Sequence, residues 1–349
     1  MTLAPILLPA NQPADRFYRG GPRIAAFRGE RGHPATGDHV PEDWVASVTT
    51  QAGDASIGLT RLPDPASANG GRLLRDAIAA DPIAWLGPAH VAAFGADPRL
   101  LVKLLDPGQR LPVHAHPDDA WAAEHLGHAH GKAEAWHILA PGEVFLGLRE
   151  PITRERLLEL VATQDSETLL GLLHRREVAS GDTVYVPPGV LHAIGEGVLL
   201  AEVQQPEDLS ILLEWRGFDI DGSADGHLGV GFDDAVGALE LTARTDEELD
   251  ALITRAVPGA QNGSLLPAAA SPYFRVERDE FSGRKNLDKG YGVLVILEGT
   301  VDLGFVGRRL PVVGGDTALL PYAAGPLELT GSASVLVFRP PAPVPAGRA

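Results

Sequence analysis

The pattern of apolar and polar positions along the chain predicts a protein built mainly from short strands. Apolar runs are brief, and turn residues separate them, since the sequence holds 40 glycines and 29 prolines. Strand-like runs of this kind fill segments 176–205 and 273–340. The nearly continuous apolar run at 99–106 predicts a buried strand. We therefore expect a fold of the mainly β class.

Two stretches have the spacing of helices instead. In the first, at about 70–98, Leu74 and Ile78 recur at helical spacing, and prolines divide the stretch into short helices. In the second, at about 151–176, Pro151 precedes two amphipathic segments whose leucines lie on apolar faces. We interpret both stretches as helical insertions.

An internal repeat divides the chain. Segment 314–331 echoes segment 181–197, but the second copy has no histidine where the first has His192. The matching residues are Gly181, Asp182, Thr183 and Pro187 in the first copy and Gly315, Asp316, Thr317 and Pro321 in the second.

The repeat and a turn-rich acidic stretch after Asp219 predict two domains. The first spans 1–235, and the second spans 236–340. The proline-rich end, 341–349, is typical of a disordered tail.

Composition narrows the possible functions. The 349 residues include 29 basic and 46 acidic side chains, and the net charge of -17 disfavours binding to nucleic acid or to anionic membranes. The absence of cysteine excludes disulfides, thiolate ligands and a cysteine nucleophile. The N-terminus lacks the features of a signal peptide, and no apolar run is long enough to span a membrane, so we expect a cytoplasmic protein.

Histidines are concentrated in one region, because six of the twelve lie between residues 114 and 137. Strand side chains alternate between faces, so His114 and His116 point to the same side and form a ready pair of metal ligands. His128 and His130 offer a rival pair with the same spacing, and Glu134 follows both pairs. We favour His114 and His116 because they follow a strand-like run, whereas the rival pair lies in a glycine-rich, loop-like stretch.

Two spacings carry a resemblance to the cupin superfamily. Gly108 is followed by five residues and then the His-Ala-His pair, and Gly181 is followed by five residues, Pro-Pro-Gly, two residues and His192. Cupins are small antiparallel jelly-roll barrels that hold one metal ion, with a glutamate between the two motifs. The resemblance implies two such barrels, the N-terminal one metal-bearing and the C-terminal one degenerate.

A narrower resemblance covers nearly the whole chain. The segments PEDWVAS, KLLDPGQRLPVHAHPDDAWA, GKAEAWHIL, GDTVYVPPGVLHAIGEGVLLAEVQQPEDL and SPYFRVE, in that order, are similar to the type I mannose-6-phosphate isomerases. By position, the family's active-site lysine falls on Lys132 and the acidic residue of a later strand falls on Glu202. The family's metal ligands fall on His114, His116, Glu134 and His192.

The chain departs from this family at two positions. The family usually has glutamine where this chain has His114, so the implied ligand set here is three histidines and one carboxylate. We expect one divalent metal, zinc, and this ligand set also suits manganese, iron or nickel. The family's functional arginine falls on Leu212, and the nearest replacement in sequence is Arg216. Arg216 would then join Lys132 and Glu202 among the catalytic residues.

The resemblance implies an aldose–ketose isomerase that interconverts mannose 6-phosphate and fructose 6-phosphate, or a related sugar, through an enediol. Glu202 and Lys132 are the candidates for moving the proton, and Glu202 alternatively orients a metal ligand. Lys132 and Arg216 alternatively bind a substrate phosphate. The competing hypotheses are a cupin oxygenase, epimerase or lyase, and a sugar-binding protein without catalytic activity.

Overall fold

The structure is a computed structural model that describes residues 3–29, 37–64, 66, 71–257 and 263–343. Within these ranges, strands β1 to β18 are Ile6–Leu8, Glu42–Val45, Leu101–Leu105, His114–Ala115, Glu134–Ile138, Gly142–Leu148, Leu173–Val178, Thr183–Val186, His192–Ile194, Leu200–Gln204, Ile211–Leu212, Ile253–Thr254, Gly263–Ser264, Arg275–Leu287, Gly292–Phe305, Arg308–Val313, Thr317–Leu320 and Leu327–Arg339. Helices α1 to α10 are Arg23–Arg28, Leu74–Ala80, Pro82–Leu86, Pro88–Phe94, Asp119–Leu126, Arg154–Thr163, Ser166–Gly171, Gly222–Asp225, Phe232–Ala235 and Asp246–Asp250. Most of the predicted disordered tail, residues 344–349, lies outside the described residues.

The strands form three antiparallel sheets, which confirms the mainly β fold. One sheet has six strands in the order β12-β8-β5-β10-β3-β2, and a second has five in the order β11-β4-β9-β6-β7. The third sheet has seven strands in the order β1-β17-β15-β18-β14-β13, with β16 paired to β15. Every residue of β3 is buried, as the apolar run at 99–106 predicted.

The six-stranded and five-stranded sheets face each other across the histidines. His114 and His192 are paired neighbours on β4 and β9 of the five-stranded sheet. Glu134 lies on β5 of the six-stranded sheet, and its Oε1 is 3.3 Å from Nε2 of His192. The site is therefore assembled between the two sheets.

Helices cover the outer surfaces of these sheets. Leu157, Leu160 and Leu169 of α6 and α7 pack with Val113 and Ala193 behind the five-stranded sheet in one apolar core. Helices α2 to α4 lie within the stretch 70–98, and their apolar side chains join a second core shared by the six- and seven-stranded sheets. No helix in the described part of the chain combines the length and apolarity needed to cross a membrane.

The two copies of the sequence repeat form the same local structure. Gly181 and Gly315 have positive φ angles of 90° and 88°, which favour glycine. Asp182 accepts a hydrogen bond from the backbone N–H of Ala179 at 3.0 Å, and Asp316 accepts the equivalent bond from Val313 at 2.9 Å. Each glycine–aspartate pair thus closes a turn that leads into a strand, β8 in the first copy and β17 in the second.

We expect Gly315→Ala to destabilise the protein strongly. A Cβ at Gly315 would lie 1.9 Å from the carbonyl oxygen of Phe27, so the substitution adds a backbone clash to the strain of a positive φ. Gly325→Ala is the matched control, because Gly325 has a φ of 79° and open space around its Cβ position. Urea unfolding should show a loss of about 1–2 kcal/mol for the control and about 1–3 kcal/mol more for Gly315→Ala. Equal losses would show that the contact with Phe27 relaxes freely.

Two strand pairings cross the predicted domain limits. β1, from the first predicted domain, pairs with β17 of the seven-stranded sheet. β12, which lies beyond residue 235, pairs with β8 of the six-stranded sheet. The predicted domain boundary between residues 235 and 236 stays a prediction.

Candidate metal centre

Three histidines meet between the two facing sheets. His114 and His192 lie on paired strands, and His116 follows β4 two residues after His114, so that strand alternation turns both side chains inward. Each of the three offers a ring nitrogen, and these nitrogens all lie within 4.8 Å of one another. All three side chains are buried. This cluster can hold a metal ion.

The hydrogen bonds of the three imidazoles orient them for metal binding. Nδ1 of His114 donates to the carbonyl oxygen of Pro112 at 2.8 Å, Nδ1 of His116 to that of Leu209 at 2.6 Å, and Nδ1 of His192 to that of Val190 at 2.8 Å. Because Nδ1 carries the proton in each ring, each Nε2 keeps its lone pair.

Burial keeps His114 and His116 neutral. Burial, and then the charge of Lys132, lower the pKa of His116 to about 3. Burial also lowers the pKa of His114 well below its usual value. Nε2 of His192 is buried without a hydrogen-bond partner. A metal ligand needs a lone pair that no hydrogen bond occupies, so these three imidazoles fit a divalent transition metal.

Glu134 adds a carboxylate to the cluster. Its Oε2 lies 3.1 Å from Nε2 of His116, and its Oε1 accepts a hydrogen bond from Nε1 of Trp136 at 3.0 Å. Lys132 Nζ lies 2.9 Å from Oε2. Burial raises the pKa of Glu134, but Lys132 and His116 outweigh it and hold the pKa well below its usual value. Glu134 is therefore ionised beside the histidines.

The rival histidine pair lies elsewhere. His128 is exposed, and its Nδ1 is 3.0 Å from Glu207. Nε2 of His130 is 2.5 Å from Asp97. His137 points away from the cluster and contacts the hydroxyl of Thr183 at 2.9 Å. The structure thus brings together the predicted pair and Glu134, and not the rival pair.

Lys132 and Glu202 line a narrow cavity next to the histidines. Burial, and then the charge of Glu134, raise the pKa of Glu202 to about 8. Burial lowers the pKa of Lys132, but Glu134 and Glu202 outweigh this effect and raise it above its usual value. A buried acid that titrates near neutral pH beside a buried cation is suited to proton transfer.

Four residues that the sequence analysis did not identify complete the cavity wall. Lys103 Nζ lies 3.2 Å from Glu42 and 3.9 Å from Glu202. Arg16 Nε lies 3.1 Å from Glu42, and its Nη1 lies 3.1 Å from Asp208. Burial raises the pKa of Glu42, but Arg16 and Lys103 outweigh it and lower it to about 2. Lys103 could have been identified from the sequence, because it is the one charged residue in the apolar run of β3. No sequence pattern marks Arg16 or Asp208 as site residues.

Arg216 does not reach this cavity. It is exposed, and its guanidinium donates to the carbonyl oxygen of Thr163 at the end of α6 at 3.0 Å. The backbone N–H of Arg216 donates to Oε1 of Gln164 at 3.0 Å. Leu212, on β11, lies opposite His114 on the neighbouring strand β4. The strand therefore ends before Arg216, and the chain turns away from the site.

Fold and site together define a cupin-like β protein with a buried histidine centre. Mannose-6-phosphate isomerase ManA of Bacillus subtilis (strain 168) is 30% identical to the chain over 251 residues, which cover 68% of this chain and 74% of ManA. The chain belongs to the mannose-6-phosphate isomerase family. No family model matches the sequence.

Solved structures have a similar fold. The crystal structure of mannose 6-phosphate isomerase from Bacillus subtilis has a TM-score of 0.72 at 23% identity and covers 97% of this chain and 100% of its own. A structure of mannose 6-phosphate isomerase bound with zinc and yttrium has a TM-score of 0.72 at 16% identity, with coverage of 97% and 100%. Both likenesses support the fold over the described part of the chain.

Proposed function

We propose that the chain is a metal-dependent aldose–ketose isomerase that interconverts mannose 6-phosphate and fructose 6-phosphate, or a related sugar pair. The observation that carries the proposal is the buried pair Glu202 and Lys132 beside three converging imidazoles. The similar proteins are mannose-6-phosphate isomerases, which supports the reaction class.

The proposed metal ligands are His114, His116, Glu134 and His192. Three imidazoles and one carboxylate suit zinc, and one of the similar solved structures holds zinc. A divalent ion held there would supply a Lewis acid for the oxygens next to the reacting carbons.

The proton transfer between C2 of the aldose and C1 of the ketose is assigned to Glu202. With a pKa raised to about 8, this carboxyl group can both take and return a proton near neutral pH. The proton that leaves one carbon is returned to the other, and the hydroxyl proton moves between O2 and O1, so no co-reactant is consumed. Lys103 Nζ, 3.9 Å from Glu202, and Lys132 favour its ionised form.

The experiment that tests this proposal combines metal analysis with an isomerase assay. Purified protein would be analysed for bound metal and then assayed for interconversion of phosphorylated and free mannose and fructose. Isomerisation that is lost with a chelator and restored by a divalent metal is the expected result. Oxygen-dependent turnover with a redox-active metal would favour an oxygenase instead.

We expect one metal ion per chain. The described residues contain no second cluster of three or more histidine, aspartate or glutamate side chains suited to a metal, and the sequence has no histidine after His227. Elemental analysis of the purified protein should therefore give a ratio near one. A ratio of two would contradict this prediction.

A further inference from the structure

A second cavity lies between the first helical insertion and the seven-stranded sheet. Leu86 of α3 and His90 of α4 line one side of it, and Arg275 of β14 and Arg339 of β18 line the other. Its volume is about 360 Å³, within the range of about 300–1,000 Å³ that small-molecule sites occupy. It shares no lining residue with the cavity at the histidines. The two spaces are therefore separate.

Two arginines face each other on the wall of this second cavity. Arg275 lies directly opposite Arg339 on the paired strands β14 and β18, so both side chains are on the same face of the sheet. Side chains in such a pair have Cβ atoms about 4.5–5.5 Å apart, and like charges there are destabilising. Arg339 is only 7% exposed. Burial, and then the charge of Arg275, lower the pKa of Arg339 below its usual value.

Backbone carbonyls hold the two guanidinium groups without neutralising them. Nη1 and Nη2 of Arg339 donate to the carbonyl oxygens of Tyr291 at 3.3 Å and Asp288 at 2.8 Å. Nε of Arg275 donates to the carbonyl oxygen of Pro340 at 3.0 Å. Neither guanidinium has an ion pair with a carboxylate of the described residues. The repulsion between them is therefore not offset by a nearby negative charge of that part of the chain.

The other charged residues of the lining leave a surplus of positive charge. Lys285 is paired with Asp279 at 2.5 Å, so these two cancel. Nζ of Lys289 lies 3.9 Å from the ring centre of Tyr322. The remaining carboxylates of the lining are Glu277 and Asp288. Four cations thus meet three carboxylates, in a chain whose net charge is -17. A local excess of positive charge of this kind attracts an anion.

We propose that this cavity binds a small dianion of the phosphate class, either free phosphate or a phosphate ester. A guanidinium fork matches the oxygens of phosphate, and a compact group with oxygens on several sides can bridge two arginines that lie directly opposite each other. The charge of a dianion would offset both guanidinium groups at once. The proposal concerns a site apart from the histidine centre and does not depend on the isomerase activity.

The test is calorimetric titration of metal-loaded protein with inorganic phosphate. Arg339→Gln should weaken binding at least about tenfold, because loss of a charge-assisted contact costs about ten- to over a hundredfold in affinity. Arg309→Gln is the matched control, since Arg309 lies on β16 of the same sheet and pairs with Asp302 instead. Its affinity for phosphate should be unchanged. If Arg339→Gln does not fold, Arg275→Gln, at a partly exposed position, provides the same comparison.

Two further titrations identify the chemistry of the anion. Glycerol 3-phosphate shows whether an ester binds more tightly than free phosphate, and tight binding of either supports the proposal. Succinate carries two charges at the ends of a longer chain, so it should bind more weakly than phosphate. Tighter binding of succinate would overturn the assignment to the phosphate class.

The variants also separate this cavity from the one at the histidines. Lys132→Ala should keep the phosphate binding that Arg339→Gln loses, because Lys132 lines the other cavity. Phosphate binding that is lost in Lys132→Ala and kept in both arginine variants would place the anion at the histidines and overturn the proposal. Unmodified protein that binds no phosphate at millimolar concentration would also overturn it. The proposed isomerase function would stand in either case.

Discussion

Protein with His192→Ala should contain almost none of the metal that the unmodified protein retains. His192 is fully buried, and its Nε2 has no other hydrogen-bond partner, so the substitution removes a donor that no neighbour replaces. Loss of groups that merely orient a ligand costs about 10–100-fold in metal affinity, and loss of a ligand should cost more. Equilibrium dialysis against zinc, followed by elemental analysis, measures the effect. His114→Ala, His116→Ala and Glu134→Ala should behave alike.

The matched control is the double variant of His128 and His130 to alanine. These two histidines have the same sequence spacing as the proposed ligands, but they contact Glu207 and Asp97 instead. The control should keep its metal. Metal lost from the control and kept by His114→Ala would assign the site to the other pair.

Glu202→Gln should retain its metal and lose most of its isomerase activity. The amide keeps the size of the side chain but cannot take and return a proton, and a positioned acid–base group contributes about 10²- to 10⁴-fold to the rate. We expect a decrease in kcat of that order, measured by coupled assay on protein whose metal content has been determined.

The control for this variant is Glu159→Gln, an exposed glutamate on α6 that pairs with Arg156. Its kcat should be unchanged. If Glu202→Gln loses metal in proportion to activity, Glu202 orients a ligand and does not move the proton. Full activity with full metal would remove Glu202 from the reaction altogether.

The features that the sequence could predict depend on local rules. Strand alternation placed His114 and His116 on one face without knowledge of any neighbouring strand. Repeated turn chemistry identified Gly181 and Gly315, whose φ angles agree within 2°. The buried strand at 99–106 followed from its apolar run.

The rest of the site depends on strand register, which single-sequence patterns do not encode. Glu202 lies directly opposite Lys103 on β3 and opposite Trp136 on β5, and Lys103 lies opposite Trp44 on β2. A shift of one residue in any pairing would turn these side chains to the other face. Arg216 illustrates the same point, because nothing in LLEWRGFD reveals that β11 ends at Leu212.

The pairing of β1 with β17 has a consequence for how the cavity forms during synthesis. All four proposed metal ligands have been made once residue 192 is added, but Ile6 pairs with Leu319, far later in the chain. Arg28, at the end of α1, donates to Thr317 Oγ1 at 2.7 Å, so both ends of the segment that carries Arg16 contact the same late-made strand, β17. Contacts of such large sequence separation form slowly. The seven-stranded sheet contributes none of the proposed ligands, but it holds the segment that carries Arg16 in place. We therefore expect a nascent chain to form its metal centre before the wall of the cavity that contains Arg16 is complete.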